Sequence, residues 1–505
     1  MNDDGRARLA VAEAAREVER GRMGRRQFLT LCARAGFAFG AASPFACRSR
    51  TGTAPDAGAV RATAGAGSAL EPGAQRQFLT EVGRSFAGTT LRVVTEDTPP
   101  SVATREIMKE EFEQLTGIHV VWEQLPLYRA LATISADTAR RAGTHDVFYL
   151  DQGWLGRFVD DTLDHRALLA RTDLAYPDYR FDDILPTLVD GVATYRGRLM
   201  GIPYDIPIFI MMYRRDVLGE LGLPVPTTMA GYLETVRAVH RARAPRVYGT
   251  TAQWTPEMIA LECNMTAWLW GHGGSILGRD GRPAIADERA EAAMAYMLEL
   301  GRYMPPGVTS WGWDEEAASF AEGGAGLYIS WSEQFSKLDD PRWSKIVGLA
   351  EAAPCPRELA LRPAADCSFG ETPGVSHQGG SCLAVSRYSR HPEAAWIFLQ
   401  WATSRDVTAR ACVLGGGGSP IRRSNYEDPR VREKAVVGVG TTRHFEVTRD
   451  AIERRMGTEP HFPGWATLSF DYSIELGKMV TRQQSIRATL ARLARLTERA
   501  VAEAR

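Results

Sequence analysis

Four acidic and amide side chains stand directly behind two short runs of β-forming residues. Their oxygen and nitrogen atoms can hydrogen-bond the hydroxyl groups of a ligand. Open α/β sheets bind ligands just beyond the carboxyl ends of their strands, so we predict that these residues line a ligand site. Each of them could instead cap a helix or lie in a solvated loop. The four are Glu96, Asp97, Asp151 and Gln152.

Tryptophan is the second source of candidate ligand contacts, because the chain has twelve of them. A flat indole ring covers apolar CH faces, whereas planar polar groups bind the hydroxyl edges of the same ligand. Trp154 and Trp254 lie at loop-like positions and could serve either a ligand site or the core. Trp396 and Trp401 lie on an amphipathic helical pattern, which predicts that both belong to the core.

Catalytic and metal-binding motifs are missing from the sequence. It has no H-E-x-x-H, no G-x-S-x-G and no C-x-x-C, and its nine histidines are scattered. The glycine run that starts at Gly415 lacks the G-K-[S/T] ending of a phosphate loop. We therefore predict a protein without enzymatic activity, metal or cofactor. Paired carboxylates leave a glycoside-acting enzyme open as an alternative, because sequence does not show their separation.

The elements that must position these residues alternate between strand and helix after residue 90. The helical stretch 103–115 has Met108, Phe112 and Leu115 on one face and ends at Gly117. Strands that alternate with helices predict an α/β fold with a mostly parallel sheet and helices on both faces. The predicted strands are Leu91–Thr95, Ile118–Trp122 and Asp146–Leu150.

Five motifs then follow in a fixed order. They are GIPYD at Gly201–Asp205 with MYRRDVL at 212–218, LGLPVPTT at 221–228, GHGG at 271–274 with RDG at 279–281, FAEGGAGLYISW at 320–331, and GGSCLAVS at 379–386 with HPEAA at 391–395. Together they resemble the family 1 extracellular solute-binding proteins, the maltose-binding-protein-like sugar-binding components of bacterial ABC importers. Arg214 and Arg215 replace the usual Asn and Lys. The resemblance covers roughly residues 90–425.

This resemblance implies a two-lobe periplasmic binding protein fold of type II, in which the lobes are hinged around a ligand cleft. Lobe I would comprise residues 89–205 with 375–412, and lobe II residues 206–374 with 413–505. The implied protein is a monomer that captures a carbohydrate or polyol and delivers it to the permease subunits of an ABC importer. It needs no cofactor, because ATP binds elsewhere. A polyamine, a phosphate ester or a carboxylate is the alternative solute.

Further ligand-binding candidates come partly from the resemblance, which gives the first three, and partly from residue chemistry, which gives two glycines and an arginine. Trp331 would stack on the ligand, and two residues of the first motif would line the cleft beside the hinge. Two glycines would let backbone N–H groups approach a ligand, or would only shape a crossing strand. An arginine behind the glycine run would reach a hydroxyl or a carboxylate. These residues are Tyr204, Asp205, Gly379, Gly380 and Arg422.

The N-terminal sequence resembles an export signal. An arginine pair within residues 24–29 precedes a weakly apolar stretch at 28–46 that is too short to span a membrane, and this resembles a twin-arginine signal over residues 1–47. Cys47 stands where a lipoprotein is acylated, although Pro44 replaces the usual branched residue. Residues 48–88 read as a flexible linker. We expect a periplasmic protein that contacts the membrane only through a lipid on Cys47.

Overall charge and the remaining cysteines fit an exported protein. The 60 basic and 61 acidic side chains leave a net charge of −1, which argues against nucleic acid as a partner. Cys355 with Cys367 and Cys382 with Cys412 could form disulfides in an oxidising compartment. Alternatively, these four residues and Cys263 are buried reduced thiols.

Overall fold

The computed structural model of the protein describes residues 72–278, 280–357, 371, 374–415 and 418–504. The predicted export signal, the candidate lipid attachment site Cys47 and residues 48–71 of the predicted linker lie outside these ranges. No helix within the described ranges combines the length and the apolar character that a membrane span requires.

Two larger sheets and two short ribbons contain the strands of the described residues. The larger sheets have the strand orders β2-β1-β3-β12-β6 and β10-β7-β9-β8. The strands are β1 (Thr90–Glu96), β2 (His119–Leu125), β3 (Val147–Asp151), β4 (Thr194–Tyr195), β5 (Arg198–Leu199), β6 (Ile202–Asp205), β7 (Phe209–Arg214), β8 (Tyr248–Thr250), β9 (Ala325–Trp331), β10 (Ala350–Ala353), β11 (Ser376–His377), β12 (Ser381–Val385) and β13 (Met456–Gly457).

The helices lie around the sheets and connect their strands. They are α1 (Pro72–Phe86), α2 (Pro99–Ile107), α3 (Glu113–Thr116), α4 (Leu127–Arg140), α5 (His165–Leu169), α6 (Pro186–Ala193), α7 (Arg215–Glu220), α8 (Met229–Arg243), α9 (Ala260–Gly271), α10 (Glu288–Leu300), α11 (Trp313–Ala321), α12 (Phe335–Leu338), α13 (Pro392–Ala402), α14 (Arg405–Gly415), α15 (Arg423–Tyr426), α16 (Pro429–Glu433), α17 (Phe445–Arg454), α18 (Trp465–Val480) and α19 (Ile486–Glu503).

One edge of the five-stranded sheet gathers several strand ends. β1 pairs in parallel with β2 and β3, and β12 runs antiparallel to both β3 and β6. Because β12 runs opposite to its neighbours, its first residue, Ser381, lies between Asp151 at the end of β3 and Asp205 at the end of β6. The carboxyl ends of β1, β3 and β6 therefore meet the amino end of β12.

The four-stranded sheet is mainly antiparallel. β7 runs antiparallel to β9 and to β10, and only β8 pairs with β9 in parallel. Phe209 at the start of β7 lies opposite Trp331 at the end of β9. Both sheets thus contain antiparallel as well as parallel pairs, a mixture that the alternation of strands and helices in the sequence does not reveal.

Two short crossing segments connect the sheets and run side by side. Residues 206–208 lead from β6 to β7, and residues 378–380 lead from β11 to β12. The backbone N–H of Gly379 donates to Pro207 O at 2.9 Å, and Ile208 bridges Gln378. This is the arrangement of a two-lobe protein whose chain crosses the hinge more than once. The exact lobe boundaries given above stay a prediction.

Alternation along the strands divides the apolar residues among three cores. One core surrounds the five-stranded sheet and contains Trp396 and Trp401, which are fully buried, as their helical pattern predicted. The other two cores lie on opposite faces of the four-stranded sheet. Phe209 and Met211 of β7 belong to one of them and Ile210 to the other, because successive side chains of a strand point to opposite faces.

Two expectations from the sequence need correction. Residues 72–86 of the predicted linker form helix α1, whose Leu79 is buried and whose Phe78 and Val82 pack on the first core. This apolar stripe is short, and it is buried because it packs against the folded first core, a contact that the local sequence pattern does not show. Cys382 and Cys412 are separate, buried, free thiols, so the disulfide between them does not form. Cys263 and Cys355 are also free, whereas Cys367 lies outside the described residues.

Candidate functional site

A cleft opens between the gathered strand ends of the five-stranded sheet and the end of β9 in the other sheet. Its volume is about 130 Å³. Residues that line it are Glu96, Asp97, Thr98, Pro99, Leu127, Asp151, Gln152, Pro207, Ile259, Cys263, Trp313, Asp314, Trp331, Glu333, Gln334, Lys337, His377, Gly379 and Glu459.

Half of the twelve residues predicted to bind a ligand are brought together in this lining. The register of β1, β3 and β12 explains the grouping, because it places the ends of three strands at one edge. Their contact with a ligand stays a prediction. The six residues are Glu96, Asp97, Asp151, Gln152, Trp331 and Gly379.

Four of the other six lie behind or away from the lining. Asp205 is buried beside the cleft, where the Tyr149 hydroxyl donates to Glu96 Oε2 at 3.1 Å and approaches Asp205 Oδ2 at 3.5 Å. The Tyr204 hydroxyl donates to Pro100 O at 3.3 Å. The rings of Trp154 and Trp254 are buried in separate cores. These four side chains therefore lie outside the lining of the cleft.

Arg422 has a different role from the predicted one. Its side chain is completely buried, Nε donates to Thr403 O at 2.9 Å, and Nη1 donates to Arg180 O at 2.8 Å. The guanidinium also lies 4.8 Å from the centroid of the Tyr179 ring. Arg422 is therefore placed as a structural cation that joins three segments, outside the lining of the cleft.

Gly379 and Gly380 have their backbone N–H groups occupied by protein acceptors. The N–H of Gly379 donates to Pro207 O, and the N–H of Gly380 donates to Gln378 Oε1 at 2.6 Å. The predicted donation to a ligand is thus not available. Gly379 instead makes room for an aromatic side chain, since a Cβ there would stand 2.9 Å from two ring carbons of Trp331.

Trp331 and Trp313 supply the aromatic surface of the cleft. The Trp331 ring packs at 4.3 Å, centroid to centroid, on Phe209, and its Nε1 donates to Gln253 Oε1 at 3.1 Å. These contacts fix the plane of the ring. Trp313 begins helix α11 and is half-buried. The two indoles give the cleft apolar faces of the kind that CH groups pack against.

Carboxylates from both sheets face each other across the cleft. Glu96 ends β1, and Glu333 follows β9. Burial raises the pKa of Glu96 well above its usual value, and the charges of Asp205 and Glu333 raise it further. Burial, followed by the Asp205 charge, raises the pKa of Glu333 to about 8 although Lys337 acts in the opposite direction. Both carboxyl groups therefore resist ionisation in the empty cleft.

The deep end of the cleft holds a second polar group. Asp151 Oδ1 accepts from the N–H of Gly153 at 2.8 Å, and the Trp465 Nε1–H donates to Glu459 Oε2 at 2.7 Å. Burial and the nearby Glu459 raise the pKa of Asp151. Burial lowers the pKa of His377 to about 3, so its imidazole is neutral at physiological pH.

A metal ion could be held by one group within the described part of the chain. Ligand atoms of Cys263, His377 and Glu459 lie within 4.8 Å of one another. Thr266 Oγ1 lies 2.6 Å from His377 Nδ1 and would orient the ring. His377 Nε2 and Glu459 Oε1 are 3.5 Å apart, which suits an edge of a tetrahedral site and is long for a hydrogen bond. Burial raises the pKa of the Cys263 thiol, which opposes the thiolate that a metal needs.

Comparison with known proteins identifies the family. The sequence model for bacterial extracellular solute-binding proteins matches residues 108–436, which is more than half of the chain. The chain belongs to this family.

Its relatives are distant in sequence and close in fold. A probable amino-acid ABC transporter periplasmic-binding protein of Sinorhizobium fredii is 21% identical over 373 residues, which cover 73% of this chain and 81% of the relative. The mannitol-binding protein of Pseudomonas aeruginosa is 24% identical over 322 residues, 63% and 69% of the two chains. An ABC transporter solute-binding protein from Agrobacterium radiobacter in complex with ribitol has a TM-score of 0.71 at 21% identity, covering 82% and 99%. The two-lobe, type II fold predicted above is confirmed.

Several lining residues of this solute-binding protein escaped the sequence analysis. Glu333 lies two residues after the end of β9, so the rule that selected the strand ends could have found it, whereas Lys337 lies farther on, in helix α12. Trp313 and Asp314 begin a helix, a position that signals a cap as readily as a ligand. Glu459 carries no local signal, because it reaches the cleft only through its packing beside Gln152.

Proposed function

We propose that this solute-binding protein captures a carbohydrate or polyol in the cleft between its two sheets and delivers it to an ABC importer. The observation that carries the proposal is the combination of two indole faces with carboxylate and amide groups in one small cleft. A polyhydroxylated solute has apolar CH faces and hydroxyl edges, and the cleft offers a partner for each. The mannitol and ribitol named for two similar proteins support the same class.

The protein binds the solute and does not change it chemically. The sequence has no H-E-x-x-H or G-x-S-x-G motif and no clustered histidines, and the proteins it resembles are named for binding. The glycoside-acting alternative predicts that a bound oligosaccharide is cleaved. Recovery of the solute unaltered after prolonged incubation with the protein supports binding alone, and recovery of fragments supports the enzyme.

Delivery to an importer requires export, which the N-terminal sequence would supply. We propose a twin-arginine route that uses Arg25 and Arg26, and attachment of the mature protein to the membrane through Cys47. Fractionation of cells that express the full chain tests both ideas. The R25K/R26K variant is expected to stay in the cytoplasm, and the Cys47→Ser variant is expected to move from the membrane to the soluble periplasmic fraction.

Anionic solutes form the less favoured class. Of the described residues that line the cleft, only Lys337 has a cationic side chain, against six carboxyl groups. A phosphate ester or a carboxylate needs several cationic donors, and the described lining supplies only one. A polyamine is compatible with the charge but leaves the indole faces and amide groups without matching hydroxyls.

Isothermal titration calorimetry with a panel of polyols, mono- and oligosaccharides, amino acids, polyamines and phosphate esters tests the proposal. A sugar or polyol at 100 times its Kd is expected to stabilise the protein by about 2.7 kcal/mol, which a thermal-shift assay detects as a rise of several degrees. Binding of phosphate esters in preference to every sugar and polyol would contradict the proposed class.

A further inference from the structure

The cleft contains far more acidic than basic side chains. Glu96, Asp97 and Asp151 enter it from the five-stranded sheet, and Asp314 and Glu333 enter it from the side of β9. Glu459 adds a sixth carboxyl group at the deep end, and Lys337 is the cationic side chain in the described lining. A neutral sugar would leave this imbalance as it is.

The imbalance acts across the cleft, between the two sheets. The charge of Glu333 opposes the ionisation of Glu96, although Glu96 ends β1 of one sheet and Glu333 lies just after β9 of the other. Closure of a two-lobe protein around its solute brings such groups nearer to each other and removes water from between them. A solute that carries positive charge into the cleft favours the ionised form of these carboxyl groups and pairs with it, whereas a neutral solute does not.

The hydrogen-bonding capacity of the lining is unbalanced in the same sense. Oε2 of Glu333 has no hydrogen-bond partner. Glu459 is almost fully buried, and its side chain is hydrogen-bonded to the carboxyl group of Glu262. The cleft therefore has an unpaired carboxyl oxygen on its β9 side. An ammonium group has three donors and no acceptor, whereas a hydroxyl group brings only one donor.

The aromatic walls favour the same ligand. Trp331 and Trp313 stand among the carboxylates, and the face of an indole attracts a cation as well as a CH group. An ammonium group carried by a polyhydroxylated body would use the indoles, the carboxylates and the amides together.

We propose that the preferred solute is polyhydroxylated and carries a protonated amine, as in an amino sugar or an aminopolyol. The inference rests on the proposed function, which it narrows. The amine would lie between the carboxylates of the two sheets, near Glu96 and Glu333, and the hydroxyl groups would face Gln152 and the indoles.

A matched pair of probes tests the amine directly. Glucamine differs from glucitol by one amine in place of one hydroxyl, and glucosamine differs from glucose in the same way. Titration of the purified protein in EDTA-containing buffer at pH 7 is expected to give at least tenfold lower Kd for the amine of each pair, because a charge-assisted hydrogen bond replaces a neutral one. The ratio of the Kd of the neutral probe to the Kd of the amine is expected to fall as the salt concentration rises.

A variant locates the effect. Glu333→Gln keeps the shape of the side chain and removes the negative charge that Glu333 acquires beside a bound cation. The variant is expected to reduce the ratio of the Kd of glucitol to the Kd of glucamine. Glu498→Gln, on the exposed surface of α19, is the matched control and should keep the ratio.

The outcomes separate this inference from the proposed function. Equal or tighter binding of glucitol and glucose overturns the inference and leaves the proposed function standing. Putrescine that binds as tightly as glucamine overturns the requirement for hydroxyl groups. If zinc or magnesium binds alone in chelator-free buffer and abolishes the preference for the amine, the carboxylates are assigned to a metal. That result would overturn the inference. If neither amine binds, the inference is also overturned. If in addition no sugar and no polyol binds, the proposed function is overturned as well.

Discussion

Glu316 offers the most direct test of the electrostatics of the second lobe. It lies on α11, its side chain is completely buried, and its Oε2 accepts from the Ser330 hydroxyl at 2.6 Å while Oε1 accepts nothing. Burial raises the pKa of this carboxyl group from 4.5 to about 8. The folded protein therefore keeps Glu316 protonated at pH 7, although the unfolded chain ionises it.

The raised pKa makes stability depend on pH with a definite sign. Between pH 4.5 and 8 the folded state binds a proton at Glu316 that the unfolded state has released, so the free energy of unfolding falls as the pH rises. Each pH unit costs about 1.4 kcal/mol, which amounts to about 3 kcal/mol at pH 7 relative to pH 4.5. Glutamine has the shape of the protonated acid and is neutral at every pH.

The Glu316→Gln variant should therefore match the parent near pH 4.5 and exceed its stability by about 3 kcal/mol at pH 7. Urea unfolding followed by circular dichroism at pH 4.5, 6 and 7.5 measures the difference. Glu498→Gln, which changes an exposed carboxylate, should show no pH-dependent gain. A constant difference between Glu316→Gln and the parent at every pH would refute the reasoning, as would a variant less stable than the parent at pH 7.

Two further substitutions separate ligand binding from stability. Trp331→Ala should weaken solute binding by about 1–3 kcal/mol through loss of the stacked ring. The control is Trp343→Ala, which removes a ring that is 64% exposed and should leave the calorimetric Kd unchanged. If a folded Trp331→Ala protein binds the solute as tightly as the parent, Trp331 does not belong to the site. Arg422→Met should lower the free energy of unfolding by about 3 kcal/mol, since it removes buried hydrogen bonds to Thr403 O and Arg180 O. It should keep the solute affinity of the parent, with exposed Arg423→Met as the control; a lost affinity without a lost stability would return Arg422 to the cleft.

Local sequence patterns predicted much of the fold. β1 and β3 occupy the predicted runs of β-branched and aromatic residues to within one residue, and Gly117 ends the helical stretch in a left-handed conformation, as its position predicted. These features depend on side-chain periodicity and backbone freedom within a few residues. The direction of β12 depends on which strands lie beside it, and no local pattern contains that information.

The candidate site was predicted only in part, for a related reason. Glu96 and Asp151 could be chosen because each follows its own strand, and the strand ends of an α/β sheet are a general place for ligands. Arg422 was chosen for its chemistry, but its burial depends on Thr403 and Arg180, which are distant in sequence. Charge and residue type alone do not distinguish a buried structural cation from one that faces a ligand.

The sequence by itself determined the strand–helix order, the family and the residues that end the first strands, because each of these is written in short segments or in their succession. Tertiary structure alone decided that Glu333 faces Glu96 and that Glu459 reaches the deep end of the cleft. These groups come from different sheets and from a distant loop, so their shared charge and burial exist only after the two lobes have folded and packed at the crossing segments.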